Sequence, residues 1–190
     1  PCWCVDLFRR NPLRGSAELA YRRIVEQARQ PGFFVDLGVP DTVDGRFELI
    51  ALHAFLYLRR LKREQPDSGP LAQRFFDTMF TDFDRSLREM GTGDLSVGRE
   101  VKRMAQAFYG RVAAYERGLA EEGAALEAAV ARNLFGTASA ASDCLEAMAA
   151  YLRREAVHLD AQPAAALLAG KIRFGDPPVL HSAVEAGGQG

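Results

Sequence analysis

Apolar residues recur at helical spacing along almost the whole chain, and this feature decides the fold class. From 71 to 90, Leu71, Phe75, Met79, Phe80, Phe83, Leu87 and Met90 follow the spacing of three and four that gathers side chains onto one helix face. Asp77, Thr81, Asp84 and Arg88 fall on the other side. The same period predicts helices over residues 16–30, 46–64, 99–120, 124–134 and 142–159. It adds a single turn at 33–37 and a short helix at 162–169 that stops at Gly170. No segment sustains the two-residue alternation with β-branched enrichment that marks a strand. The expectation is an all-α fold, a single globular bundle of about seven helices with a short irregular C-terminal tail.

Breakers set the boundaries. Pro31, Gly32, Gly38, Pro40 and Gly45 make 31–45 a connector, and Asp44 is placed to cap the helix that follows. Ser16 is the matching N-cap for the first helix. "QPDSGP" ends the second long helix and puts Pro70 in the first turn of the next, where a missing N–H costs nothing. The chain divides into an N-terminal basic and apolar arm over 1–15, a helical domain over 16–170 and a flexible tail over 171–190.

Charge and cysteine content exclude several classes. The net charge of −1 gives no bulk attraction to nucleic acid, so no nucleic-acid partner is expected and any basic patch must be local. No apolar stretch approaches the roughly 18–20 residues that span a bilayer. Cys2, Cys4 and Cys144 are an odd set that suits a reducing compartment, and Cys2 with Cys4 lacks the further ligands of a zinc site. No metal and no cofactor are therefore expected. The arm sets Arg9, Arg10 and Arg14 beside Trp3, Val5, Leu7 and Phe8, too short an apolar run for a signal peptide and a candidate contact with a membrane surface. The expected location is the cytoplasm, with a peripheral membrane contact.

The candidate chemistry is thin. "MGTGDLSVG" at 90–98 lacks the Lys-Ser or Lys-Thr pair of a phosphate loop, and a helix, not a strand, precedes it. It reads as a helix connector, with Gly91 in the left-handed region and Thr92, Asp94 or Ser96 as the next cap. Asp82-Phe83-Asp84 and Asp41-Thr42-Val43-Asp44 are similar to the acidic motifs of all-α prenyl-transferring enzymes. Residues two apart on a helix point about 200° apart, so Asp82 and Asp84 cannot grip one ion; Arg85 and Arg88 are their natural partners. An isoprenoid or quinone enzyme using helical carboxylates stays the alternative. His53 sits beside an apolar stripe and reads as a satisfied core imidazole. Gly110 interrupts a strong helix, which implies close approach of another helix or of a partner chain.

Four segments carry a resemblance. They are "LFRR" at 7–10, "YRRIVEQARQPGFFVDLGVPDTVDGRFELIALH" at 21–53, "LAQRFFDTMFTDFDRSLREMGTGDLSVGREVKRMAQAFYGRVAAYE" at 71–116 and "RNLFG" at 132–136. In this order, over residues 7–155, they resemble the ubiquinol–cytochrome c chaperone family, the cytochrome b assembly factors of respiratory complex III. The sequence shows no long N-terminal extension with a presequence or anchor, which suits a bacterial member; the first six residues and the last 20 match nothing in the family pattern.

The resemblance implies a non-enzymatic, all-α assembly chaperone whose client is newly made cytochrome b, with a small assembly partner protein as a further candidate. It also implies that the peripheral membrane contact is with the inner membrane. A client with exposed apolar helices needs adaptable aromatic and methionine surface within a polar rim. Phe76, Phe80, Phe108 and Tyr109 are the candidate groove, with Phe76 and Tyr109 at the edges of their stripes and so expected at the surface. Asp41, Asp44, Arg46, Asp82, Asp84, Arg88, Asp94 and Arg111 match polar family positions and are the candidate rim.

Overall fold

The computed structural model describes residues 12–121, 123–136 and 140–180, all of its regular structure helical. Helix α1 spans Pro12–Ala28, α2 Pro31–Val35, α3 Val43–Lys62, α4 Gly69–Glu89 and α5 Asp94–Ala120. Helix α6, Ala125–Val130, runs without a break into a π-helical turn, Ala131–Phe135; α7 spans Ser142–Ala161 and α8 Ala164–Leu168.

Helix α3 is the axis of the bundle. Its sequence from Phe47 to Tyr57 is apolar except for Glu48 and His53, and every residue of it is buried. A helix apolar on all sides must be covered on all sides. Helices α1, α4, α5, α7 and the π turn all pack on it. The helically spaced stripe of Phe47, Ile50, Ala54, Phe55 and Leu61 is therefore only part of the buried surface, which also takes Leu49, Leu52, Leu56 and Tyr57. By contrast α4 is two-faced: Leu71, Phe75, Met79, Phe80 and Phe83 are buried and its arginines and acids face out.

The boundaries depart from the expected ones for local reasons. Helix α1 is already formed at Pro12, the first described residue, so Ser16 lies inside it and does not cap it. Thr42, not Asp44, caps α3: its Oγ1 accepts from the Gly45 N–H at 3.1 Å, while Asp44 sits in the first turn. Gly45 is required there, since a Cβ would lie 1.9 Å from the Pro40 carbonyl oxygen. Helix α5 begins at Asp94 and takes Gly98 inside it; Gly93 is its cap residue, and no side chain caps it. Gly91 ends the α4 side of that connector at φ +85°, the left-handed conformation expected of it.

Residues 171–180 form no helix but are fastened to the bundle. Ile172 is buried, the Phe174 ring lies 5.1 Å edge-on to His53, and the Gly175 N–H donates to the buried Glu155 carboxylate at 2.9 Å. Gln162 brackets Arg173, donating to its carbonyl at 2.6 Å and accepting from its N–H at 3.1 Å. Most of the arm, with Cys2, Cys4, Arg9 and Arg10, and the end of the tail, 181–190, lie outside the described residues.

Candidate functional site

The family-like segments converge in space. The N-terminus of α3, the middle of α5 and the π turn enclose a cleft of about 430 Å³, lined among others by Asp44, Glu48, Arg103, Arg111, Arg132 and Asn133. Three stretches far apart in sequence thus supply one wall each: 40–48, 100–111 and 132–136. Single π turns appear frequently at functional sites because they re-aim side chains that a regular helix would fix. Here the turn carries Arg132 to the mouth, sets Asn133 deeper in the lining and puts Leu134 and Phe135 into the core.

At the cleft floor Arg111 makes a two-pronged ion pair with Glu48, across 63 residues of chain. Its guanidinium lies 5.3 Å from the centre of the Phe47 ring. Burial raises the Glu48 pKa against the opposing pull of Arg111. Burial likewise works against the Arg111 charge, but the carboxylate outweighs it and leaves that pKa raised. Near the pair Tyr115 is fully buried, and its hydroxyl faces the Asn133 side chain.

A second face is apolar. Helices α3, α4 and α5 border a groove of about 440 Å³, with Leu58, Ala72, Phe76, Tyr109 and Val112 inside and Arg59, Lys62, Gln73 and Glu116 around it. Phe76 is half-buried and stacks at 4.5 Å on Phe80 and 5.7 Å on Tyr109. Phe80 and Phe108 belong to the core, whereas Tyr109 is 62% exposed. Gly110 follows it at the surface, and a Cβ there would meet nothing within 4 Å. The close helix approach expected at Gly110 falls instead at Gly118, where a Cβ would sit 2.8 Å from Leu126.

The candidate rim residues do not surround one groove. Asp44 and Arg111 share the polar cleft. Asp41 pairs with Arg46 at 2.7 Å in the approach to α3. Asp82 accepts from the Tyr21 hydroxyl at 2.8 Å and from Arg85, fastening α1 to α4. Arg88 holds Asp84 at 2.9 Å and also Asp94, so it spans the glycine connector. Asp82 and Asp84 thus turn to different partners, as their spacing implies. Each carboxylate of the two acidic motifs except Asp44 has a hydrogen-bonded cation or hydroxyl beside it. Among the described residues no group of three or more His, Cys, Asp and Glu is placed to hold a metal.

His53 is a satisfied core residue. Its Nδ1 meets the Leu49 carbonyl at 2.7 Å and its Nε2 meets the Tyr151 hydroxyl at 2.8 Å, which makes Nδ1 the donor. Burial pulls its pKa down to about 4. Sequence reasoning missed Glu48, Arg103, Arg132 and Asn133 as cleft residues. The available signal was a glutamate flanked by Phe47, Leu49 and Ile50, since a charge inside an apolar run needs a partner.

Residues 35–174 match the family model described as ubiquinol-cytochrome C chaperone. The ubiquinol-cytochrome-c reductase complex assembly factor 1 of Xenopus laevis is 26% identical over 140 residues, covering 74% of this chain and 70% of the relative. Its counterpart in Mus musculus is 26% identical over 155 residues, covering 81% of this chain and 52% of the relative. In Homo sapiens the match covers 47% of the relative, so the chain spans about half the length of these mammalian proteins. The crystal structure of the Cbp3 homolog from Brucella abortus superposes with a TM-score of 0.77 at 38% identity, covering 87% of this chain and 91% of that one.

Proposed function

Because the chain belongs to the ubiquinol–cytochrome c chaperone family, we propose that it is a non-enzymatic assembly chaperone that binds newly made cytochrome b during biogenesis of the cytochrome bc1 complex. The observation that carries this reading is the match over residues 35–174, joined by the similarity over 87% of the chain to the Cbp3 homolog. The α3–α4–α5 groove is the surface that suits such a client. An apolar helix of cytochrome b would lay its side chains against Phe76 and Tyr109, and Gly110 would admit its backbone. The polar cleft with Glu48 and Arg111 acts as the brace that keeps α3 and α5 in register behind that groove. No helix among the described residues is long and apolar enough to cross a membrane. The client, a membrane protein, is met at the membrane surface from the cytoplasmic side. A small assembly partner protein would have the cleft mouth, with Arg103 and Arg132, as a further surface.

The test is capture of cytochrome b from detergent-solubilised membranes that are synthesising it. The wild-type chain is expected to retain it, and Phe76→Ser with Tyr109→Ser to lose most of it while keeping helicity. Equal capture by both would remove the groove from the account. No capture by either, with complex III levels unchanged on loss of the chain, would remove the function itself.

A further inference from the structure

The charge of this chain is unevenly placed. Residues 1–30 hold six arginines and three acids, while the remaining 160 hold 18 basic and 22 acidic residues. A local basic patch is thus hidden in a net charge of −1. Three of these arginines, Arg14, Arg22 and Arg23, lie on α1, which packs along α4, and Arg29 directly follows it. Between the two helices runs an open cleft of about 750 Å³.

Within that cleft several charges cancel. Arg14 pairs with Glu18 at 2.8 Å, Glu26 is held by Arg23 at 3.0 Å, and Arg85 is bound to Asp82. Arg22, Arg29 and Arg74 line the same cleft, are exposed, and make no ion pair among the described residues. Asp77, held by Gln73 at 2.8 Å, is the opposing carboxylate without a cation. Arg29 sits just past the end of α1, where its N–H still donates to the Val25 carbonyl at 3.1 Å; seven residues on from Arg22, it lies on the same side, about 10 Å away. An elongated row of unpaired guanidiniums attracts an extended anionic surface, not a single small anion.

We propose that the α1–α4 face, through Arg22, Arg29 and Arg74, docks the protein onto a membrane surface rich in anionic phospholipid. Continuity with the chain before Pro12 favours lipid: Trp3, Leu7 and Phe8 with Arg9 and Arg10 have the composition of an interfacial anchor. The choice of a membrane over another polyanion rests on the proposed client being a membrane protein. The vesicle assay below uses no client, so it and client capture fail independently.

Co-sedimentation of the full chain with phosphatidylglycerol–phosphatidylcholine vesicles is expected to show binding that weakens steeply with salt, and none to pure phosphatidylcholine. Each arginine near an anionic surface contributes about 5-fold, so Arg22→Gln, Arg29→Gln and Arg74→Gln together should weaken binding on the order of 100-fold. A control of equal charge change elsewhere, Lys102→Gln, Arg117→Gln and Lys171→Gln, should weaken it by less than about 5-fold. Circular dichroism must show both variants folded; should the glutamine variant not fold, Arg→Lys at the three positions should keep vesicle binding. Equal binding to neutral vesicles, or equal loss in the control, overturns the proposal. So does a polyuridylate probe that binds in a salt-sensitive way and loses affinity in the triple variant while the vesicles do not bind.

Discussion

Replacing Arg111 with methionine keeps the stem that covers Phe47 but strands the Glu48 carboxylate. The Glu48 and Arg111 side chains are 8% and 18% exposed, so the carboxylate loses its partner where water replaces it only in part. Breaking a buried pair costs about 3–5 kcal/mol; because this one opens on a cleft, about 3 kcal/mol is the appropriate end. For a chain of this length that lowers the Tm by roughly 6–12 °C. Substituting methionine at both positions removes the stranded charge and should recover most of the loss. The pH dependence has a definite sign. Burial raises the folded Glu48 pKa above the ordinary value of 4.5, and without Arg111 nothing opposes the rise. A raised carboxylate pKa contributes stability that is fully present below the unfolded value and is lost as pH rises through the folded one. The deficit of Arg111→Met should therefore shrink as pH falls from 7 toward 5. Thermal and urea unfolding of the four proteins of the cycle, at several pH values, measures all of this. Destabilisation by the double variant equal to the sum of the singles, or a deficit that ignores pH, would refute the reasoning.

Gly110→Ala should stabilise the fold by about 1 kcal/mol, a rise of roughly 2–4 °C in Tm, because the position is helical, exposed and open; a fall in Tm would mean the space is occupied. Gly45→Ala should do the opposite, by 2 kcal/mol or more on the scale of an overpacked site, since its Cβ meets the Pro40 carbonyl at 1.9 Å; unchanged urea unfolding would contradict it. His53, with a pKa near 4, should show no imidazole NMR titration between pH 5 and 8, whereas an imidazole that titrates there would place it outside the core. Phe174→Ala should cost about 1–2 kcal/mol, less than a fully buried phenylalanine because the ring is half-buried, and early proteolysis of the intact chain within 171–180 would show that the segment is not seated.

The helical class and most helix positions were legible because apolar period and breakers are local properties of the chain. α4 shows this best: of the seven residues that write its stripe, Leu71, Phe75, Met79, Phe80 and Phe83 are buried and Leu87 is half-buried, while Met90 lies past the helix end and is exposed. α3 was legible as a helix but not as the axis, since "ALHAFLYL" has apolar residues in every direction and a stripe can be drawn through it several ways. The π turn was not legible, because its extra residue per turn comes from how Leu134 and Phe135 seat in the core. The Glu48–Arg111 pair joins positions 63 residues apart, and no local rule connects them. Residues 171–180 lack a period because Gln162 and Glu155 fasten their backbone and no repeating face does so. Of the candidate aromatics, position on the stripe told Tyr109 from Phe108 correctly, since edge residues face solvent when one helix covers another.

The central claim is that the α3–α4–α5 groove receives newly made cytochrome b. A photoreactive residue placed at position 109 in otherwise wild-type chain, irradiated while cytochrome b is being synthesised, tests it most directly. An adduct between position 109 and cytochrome b, with none from position 99 outside the groove, is the predicted result. Adducts confined to other faces, with cytochrome b made normally and position 109 silent, would contradict it.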